Sequence, residues 1–137
     1  MTALRALLPP LAALPVYVLL AASFGMRGAT AQPTIERGEY LARAGDCVSC
    51  HTANGGAPFA GGLRVDTPFG YMLSPNITPD ADTGIGRWSS DDFYRALHAG
   101  VNKHGQDMYP TMPYDFYTRV ARADVDALYA YLRTVKP

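Results

Sequence analysis

Cys47-Val48-Ser49-Cys50-His51 is the stretch on which the reading of this chain turns. Two thiols three positions apart in one helical turn lie on the same side of the backbone. There they match the two vinyl groups along one porphyrin edge. His51 is then carried under the ring, where an imidazole nitrogen is placed to ligate iron. C-x-x-C-H is the attachment pattern of a c-type haem, so one haem C is expected, held covalently by Cys47 and Cys50. The competing readings fit less well. Zinc needs further Cys or well-spaced His, and no second C-x-x-C exists. A thioredoxin-like redox pair needs alternating strands and helices around it. A plain disulfide leaves the adjacent His51 unexplained.

Outward from the motif, the body reads as short helices and long loops. Thr34 to Ala44 is helical, with Thr34 as N-cap and Glu36 in the first turn. Ser89 or Ser90 caps a helix over Asp91 to Ala99, with Gly100 just past its end. Phe93, Ala96, Leu97 and Gly100 give that helix one apolar face. Pro113 to Val120 is a further short helix. The last runs from about Ala123 to Val135, with Val125, Leu128, Leu132 and Val135 on one stripe. Between Thr52 and Trp88, Gly and Pro punctuate the chain, and no alternating pattern is long enough to build a sheet. The expected fold class is all-α. Helices this short bury little apolar surface by themselves, so a large apolar group is expected in the middle.

Composition bounds the rest. The 137 residues fit one domain, and an apolar content of 48% excludes a disordered chain. Twelve basic residues balance twelve acidic ones, which argues against a nucleic-acid partner. Only Arg5 and Arg27 are charged before Glu36, so the remainder is mildly acidic. Residues 1–31 read as a signal peptide. Arg5 gives a positive n-region, Ala6 to Met26 is uncharged, and Ala29-Thr30-Ala31 places the cut before Gln32. The competing reading is an uncleaved anchor, but Pro9, Pro10 and Pro15 interrupt the run. Either way residues 32–137 form the working domain outside the cytoplasm, in the periplasm of a bacterium.

A wider series of motifs surrounds the haem pattern. Gly38-Glu39-Tyr40-Leu41 precedes it. Gly55-Gly56-Ala57-Pro58-Phe59-Ala60-Gly61-Gly62 and Ser74-Pro75-Asn76-Ile77-Thr78-Pro79-Asp80 follow. Thr83-Gly84-Ile85-Gly86, Trp88, Tyr109-Pro110-Thr111-Met112-Pro113-Tyr114 and Ala127-Leu128-Tyr129-Ala130-Tyr131-Leu132 complete it. From Ile35 to Val135 the chain resembles a class I cytochrome c domain. The likeness is to the cytochrome subunits of membrane-associated alcohol, aldehyde and gluconate dehydrogenases. Those subunits commonly string three such domains together, whereas this chain has one motif, as a single-haem relative or as the first domain of a longer subunit.

The sixth iron ligand must come from Met72, Met108, Met112, His98 or His104. The resemblance implies Met112, in a Met-Pro step; Met108, four residues earlier, is the nearest rival. Met72 reads as packing, His98 as a rim residue and His104 as a solvated loop residue. Trp88 and the nearby Tyr residues either bond or pack beside a haem propionate or pack in the core. Pro58 is expected to offer its carbonyl to the free nitrogen of His51. His51 and Met112 together fill both axial positions, which implies a one-electron carrier, not an enzyme. The resemblance further implies a periplasmic or membrane-associated dehydrogenase as donor and quinone or another respiratory carrier as acceptor. A haem enzyme or gas sensor with an open sixth position is the alternative. A third reading is an assembly or anchoring domain whose haem only stabilises the fold.

Overall fold

The computed structural model describes residues 34–137; the export segment read over residues 1–31 and the cut before Gln32 lie outside them. Along the chain come α1 (Ile35–Ala44), α2 (Cys47–Cys50), β1 (Arg64–Thr67), β2 (Gly70–Leu73), α3 (Ser90–Ala99), α4 (Tyr114–Tyr117) and α5 (Arg122–Leu132). None of these helices is long and apolar enough to cross a membrane.

The helix ends follow from local chemistry. Thr34 starts α1 by accepting the Arg37 backbone N–H on its hydroxyl at 3.1 Å. Ser89 starts α3 with a full capping box: its hydroxyl accepts the Asp92 N–H, and the Asp92 carboxylate accepts the Ser89 N–H at 2.9 Å. Gly100, at φ 65°, closes α3 in the left-handed conformation. Two helices are shorter than the sequence suggests. α4 covers only Tyr114–Tyr117 and has no side-chain cap. α5 stops at Leu132 because Thr134 turns back, its hydroxyl donating to the Tyr131 carbonyl at 2.7 Å.

The core sits where α1 crosses α5. Gly38 faces the Ala127 backbone so closely that a Cβ there would collide with the Ala127 carbonyl. Arg37 clasps Asp124 across the same crossing through two bonds of 2.9 and 3.1 Å. Val125, Leu128 and Leu132 of α5 are buried there, joined by Ala42, Phe93 and Leu97. Val135 still packs on this cluster from beyond the helix end.

One departure from the expected architecture is a small antiparallel sheet. β1 and β2 form a hairpin in register Arg64↔Leu73 to Thr67↔Gly70, turned at Pro68-Phe69. Gly70 closes the turn at φ 132°, a conformation that only glycine adopts freely. Burial alternates along β1, with Val65 half-buried, and Met72 is half-buried on β2. Hydropathy follows burial along β1 but not along β2, where Tyr71 and Leu73 are apolar and exposed, as is Phe69 in the turn. That mismatch, over strands of four residues, hides the hairpin from a period-two reading.

Candidate functional site

The attachment motif is a single turn of helix. Asp46 adopts φ 50°, which reverses the chain after α1 and starts α2 at Cys47. Ser49 fastens this turn, its hydroxyl donating to the Asp46 carboxylate at 2.5 Å. Cys47 is half-buried, Cys50 is exposed, and the two thiols are free. Burial, with Asp46 and Cys50 adding, pushes the Cys47 thiol up to about 11. That favours the protonated thiol over the thiolate at neutral pH. Among the described residues, no cluster of three His, Cys, Asp or Glu side chains forms a metal site with them.

His51 is nine-tenths buried, and its Nδ1 lies 2.8 Å from the Pro75 carbonyl. A carbonyl only accepts, so Nδ1 carries the hydrogen and Nε2 keeps its lone pair for a metal. Burial lowers the His51 pKa, and the Pro75 bond works weakly the other way. The neutral ring that a ligand must be is thus favoured. Pro58 does not make this contact, contrary to the sequence reading: it is exposed in the loop after the motif. The reason lies at Gly61. There φ is 74°, and a Cβ would meet the Pro75 carbon at 2.5 Å and the Asn76 nitrogen at 2.6 Å. The bare backbone lets the Ser74-Pro75-Asn76 segment lie against the loop, while the Gly61 N–H donates to the His51 carbonyl at 2.8 Å. Ser74-Pro75-Asn76 stood among the motifs; its carbonyl role did not show, since any residue type offers a carbonyl.

Cys47, Cys50 and His51 border a cavity of about 350 Å³. Phe93, Ala96 and Leu97 wall it from α3, and Leu128 and Leu132 from α5. Met108 and Met112 both line it from the segment between α3 and α4. Trp88 and Asn76 are at its border; the Trp88 carbonyl accepts the Tyr129 hydroxyl at 2.6 Å. Met72 does not line the cavity; it sits behind the wall on the hairpin, its sulfur 3.9 Å from the hydroxyl of the lining residue Thr111. Neither other histidine reaches the cavity. His98 stacks on Tyr94 at 4.1 Å and donates from Nε2 to the Val120 carbonyl at 2.9 Å. His104 is exposed in its loop.

Several cavity residues escaped the sequence reading, Gly45, Asp46 and Val65 among them, and Tyr117 is the one whose side chain bonds to another of these. Tyr117 borders the cavity, and its hydroxyl donates to the Gly45 carbonyl at 3.2 Å. Burial, followed by the neighbouring Cys47, Cys50 and Asp46, raises its pKa. In sequence it is one of nine tyrosines, and nothing in its neighbours marks it.

Taken together, two thiols at the lip, a buried imidazole with a free Nε2, thioethers in the wall and an apolar interior fit a covalently held haem. Residues 35–136 match the family model described as Cytochrome c. The chain belongs to the cytochrome c family. A cytochrome c domain implies a covalently bound haem c, and the mostly helical fold with its small sheet agrees with the class I form. The chain is 59% identical over 97 residues to the gluconate 2-dehydrogenase cytochrome c subunit of Pantoea cypripedii, covering 71% of this chain and 22% of that one. With the alcohol dehydrogenase (quinone) cytochrome c subunit of Gluconobacter oxydans it shares 46% identity over 122 residues, 87% of this chain and 26% of the relative. It is likewise 46% identical over 108 residues to the fructose dehydrogenase cytochrome subunit of Gluconobacter japonicus, covering 77% of this chain and 22% of that one. This cytochrome c chain therefore spans about a quarter of the length of these relatives.

Proposed function

We propose that the domain is a periplasmic one-electron carrier holding one haem C through Cys47 and Cys50, with His51 and Met112 as axial ligands. When bound, the haem supplies an Fe(II)/Fe(III) couple. The chain's own residues do the rest. Pro75 fixes the His51 tautomer and ring orientation, so that Nε2 is presented at a constant angle. The Met112 thioether favours the reduced iron relative to a second imidazole and raises the potential. Phe93, Leu97, Leu128 and Leu132 keep water from the interior. Rigid ligands in an apolar enclosure limit the reorganisation that a change of charge requires.

The observation that carries this reading is the placing of His51 and Met112 on one apolar cavity with both thiols at its lip. With both axial positions filled, no position is left for a substrate, so the domain is a carrier and not an enzyme. The relatives named above are dehydrogenase subunits, which supports a dehydrogenase subunit as donor. The acceptor in this proposal is quinone or another respiratory carrier. Export rests on Ala29-Thr30-Ala31 and the uncharged run before it, giving a mature chain that begins at Gln32. Intact mass of the holoprotein checks that start; a mass retaining residues 1–31 overturns it.

Carbon monoxide tests the carrier function. The native ferrous protein is expected to resist CO, because Met112 occupies the position that CO needs. Rapid CO uptake contradicts the carrier and supports an open-site sensor or enzyme.

A further inference from the structure

The iron ligands assigned above sit on two separate segments. Cys47, Cys50 and His51 belong to residues 45–62, and Met112 belongs to residues 101–121. The second segment is tied down at several points. Tyr114 lays its ring on Gly100, where a Cβ would stand 2.6 Å from the ring. Val120 offers its carbonyl to His98, and Thr111 reaches Met72 on the hairpin. All these ties lead to α3 or to β2. Among the described residues, only one hydrogen bond joins the two ligand-bearing segments directly: the Tyr117 hydroxyl to the Gly45 carbonyl.

The surroundings of that bond make it a closure. Gly45 lies two positions before Cys47, and a Cβ on it would stand 3.6 Å from the Cys47 sulfur and 3.7 Å from the Tyr117 ring. Gly45, Cys47 and Tyr117 all line the cavity. The ring therefore lies on the backbone beside the Cys47 thiol, at the same border of the cavity. α4, which carries Tyr117, is a single turn without a side-chain cap and buries no residue fully. Its own hydrogen bonds hold it weakly, so the ties made by its side chains decide where Met112 stays.

We infer that Tyr117 is a positioning residue: its bond to Gly45 latches the Met112 segment to the attachment turn and keeps the thioether on the iron. The inference rests on Met112 as the sixth ligand. Loss of the thioether from iron requires the segment to lift, and lifting breaks this bond. A latch of this kind sets how readily an outside ligand replaces Met112.

The test is imidazole binding to the ferric holoprotein, read as loss of the near-infrared sulfur-to-iron charge-transfer band. Tyr117→Phe keeps the ring over Gly45 and deletes only the hydroxyl. It is expected to bind imidazole about fivefold more tightly than the wild type, the factor that one ordinary hydrogen bond represents. Tyr129→Phe is the matched deletion, because it removes a tyrosine hydroxyl bond to the Trp88 carbonyl outside the Met112 segment. It is expected to lower the denaturation midpoint while leaving imidazole affinity unchanged. Unchanged affinity in Tyr117→Phe overturns the latch, as does an equal gain in both variants. A wild type with no charge-transfer band instead overturns the Met112 assignment, and the latch with it.

Discussion

At the crossing of α1 and α5, the chain closes on itself: Gly38 meets Ala127, Arg37 clasps Asp124, and Val125 is fully buried. Leu128 and Leu132 of α5 also face a cavity, which they share with α3 and two thioethers. The first region is held by direct contact: a glycine against backbone, an ion pair and buried apolar side chains. The second is a ring of mostly apolar residues arranged about a cavity, with its segments linked by single hydrogen bonds such as His51 to Pro75 and Tyr117 to Gly45. A domain of this size has too little apolar surface for two independent cores. The difference shows how it manages with one. The crossing fixes the scaffold, and in the proposed function covalent haem at Cys47 and Cys50 supplies the rest.

Substitutions separate the two regions. The largest effect is expected from replacing Cys47 and Cys50 together by Ala, which abolishes covalent haem. Haem stain on a denaturing gel reads this directly, and stain surviving in the double variant contradicts the attachment. Gly38→Val strikes the other region. Its Cβ is driven into the Ala127 carbonyl, and overpacking of this kind costs about 1–3 kcal/mol. Denaturant unfolding of the holoprotein measures the loss, while the visible spectrum of the folded protein is expected to stay that of the wild type. A changed spectrum would mean that the crossing and the iron site are not separable.

A smaller effect is expected in acid. The Arg37 hydrogen bond holds the Asp124 carboxyl below its ordinary value of 3.8. The Ser89 N–H does the same for Asp92. A depressed pKa means that the folded state favours the ionised form. The stability it contributes is therefore present above the unfolded value and is lost as pH falls through the folded one. Asp124→Asn should flatten the fall of the denaturation midpoint below pH 3.8, though only slightly, since the pair is largely exposed. An undiminished slope in the variant would remove the Arg37–Asp124 clasp from the account of the crossing.

Legibility in the sequence divides along the same line. The crossing announces itself through helical spacing: Val125, Leu128 and Leu132 mark the buried stripe of α5, and Thr34 and Ser89 mark helix starts. The proposed attachment site is legible through the chemistry it would serve, which demands fixed residue types at fixed spacing in Cys47, Cys50 and His51. What stayed hidden depends on backbone atoms or on single side chains far apart in sequence. The Pro75 carbonyl replaced the Pro58 carbonyl as the partner of His51 because carbonyls carry no sequence label. Tyr117 meets Gly45 across 72 positions, with no periodicity to point at it. The hairpin was hidden for another reason, since Tyr71 and Leu73 put apolar side chains on its exposed face beside Arg64 and Asp66.

The two thioethers on the cavity wall, Met108 and Met112, provide the most direct test of the account. The sulfur-to-iron charge-transfer band of the ferric holoprotein should be present in the wild type and in Met108→Ala. In Met112→Ala it should vanish, with CO binding created in the ferrous form and the potential lowered. A band that survives in Met112→Ala contradicts the assignment of Met112. If it then disappears in Met108→Ala, the ligand is Met108.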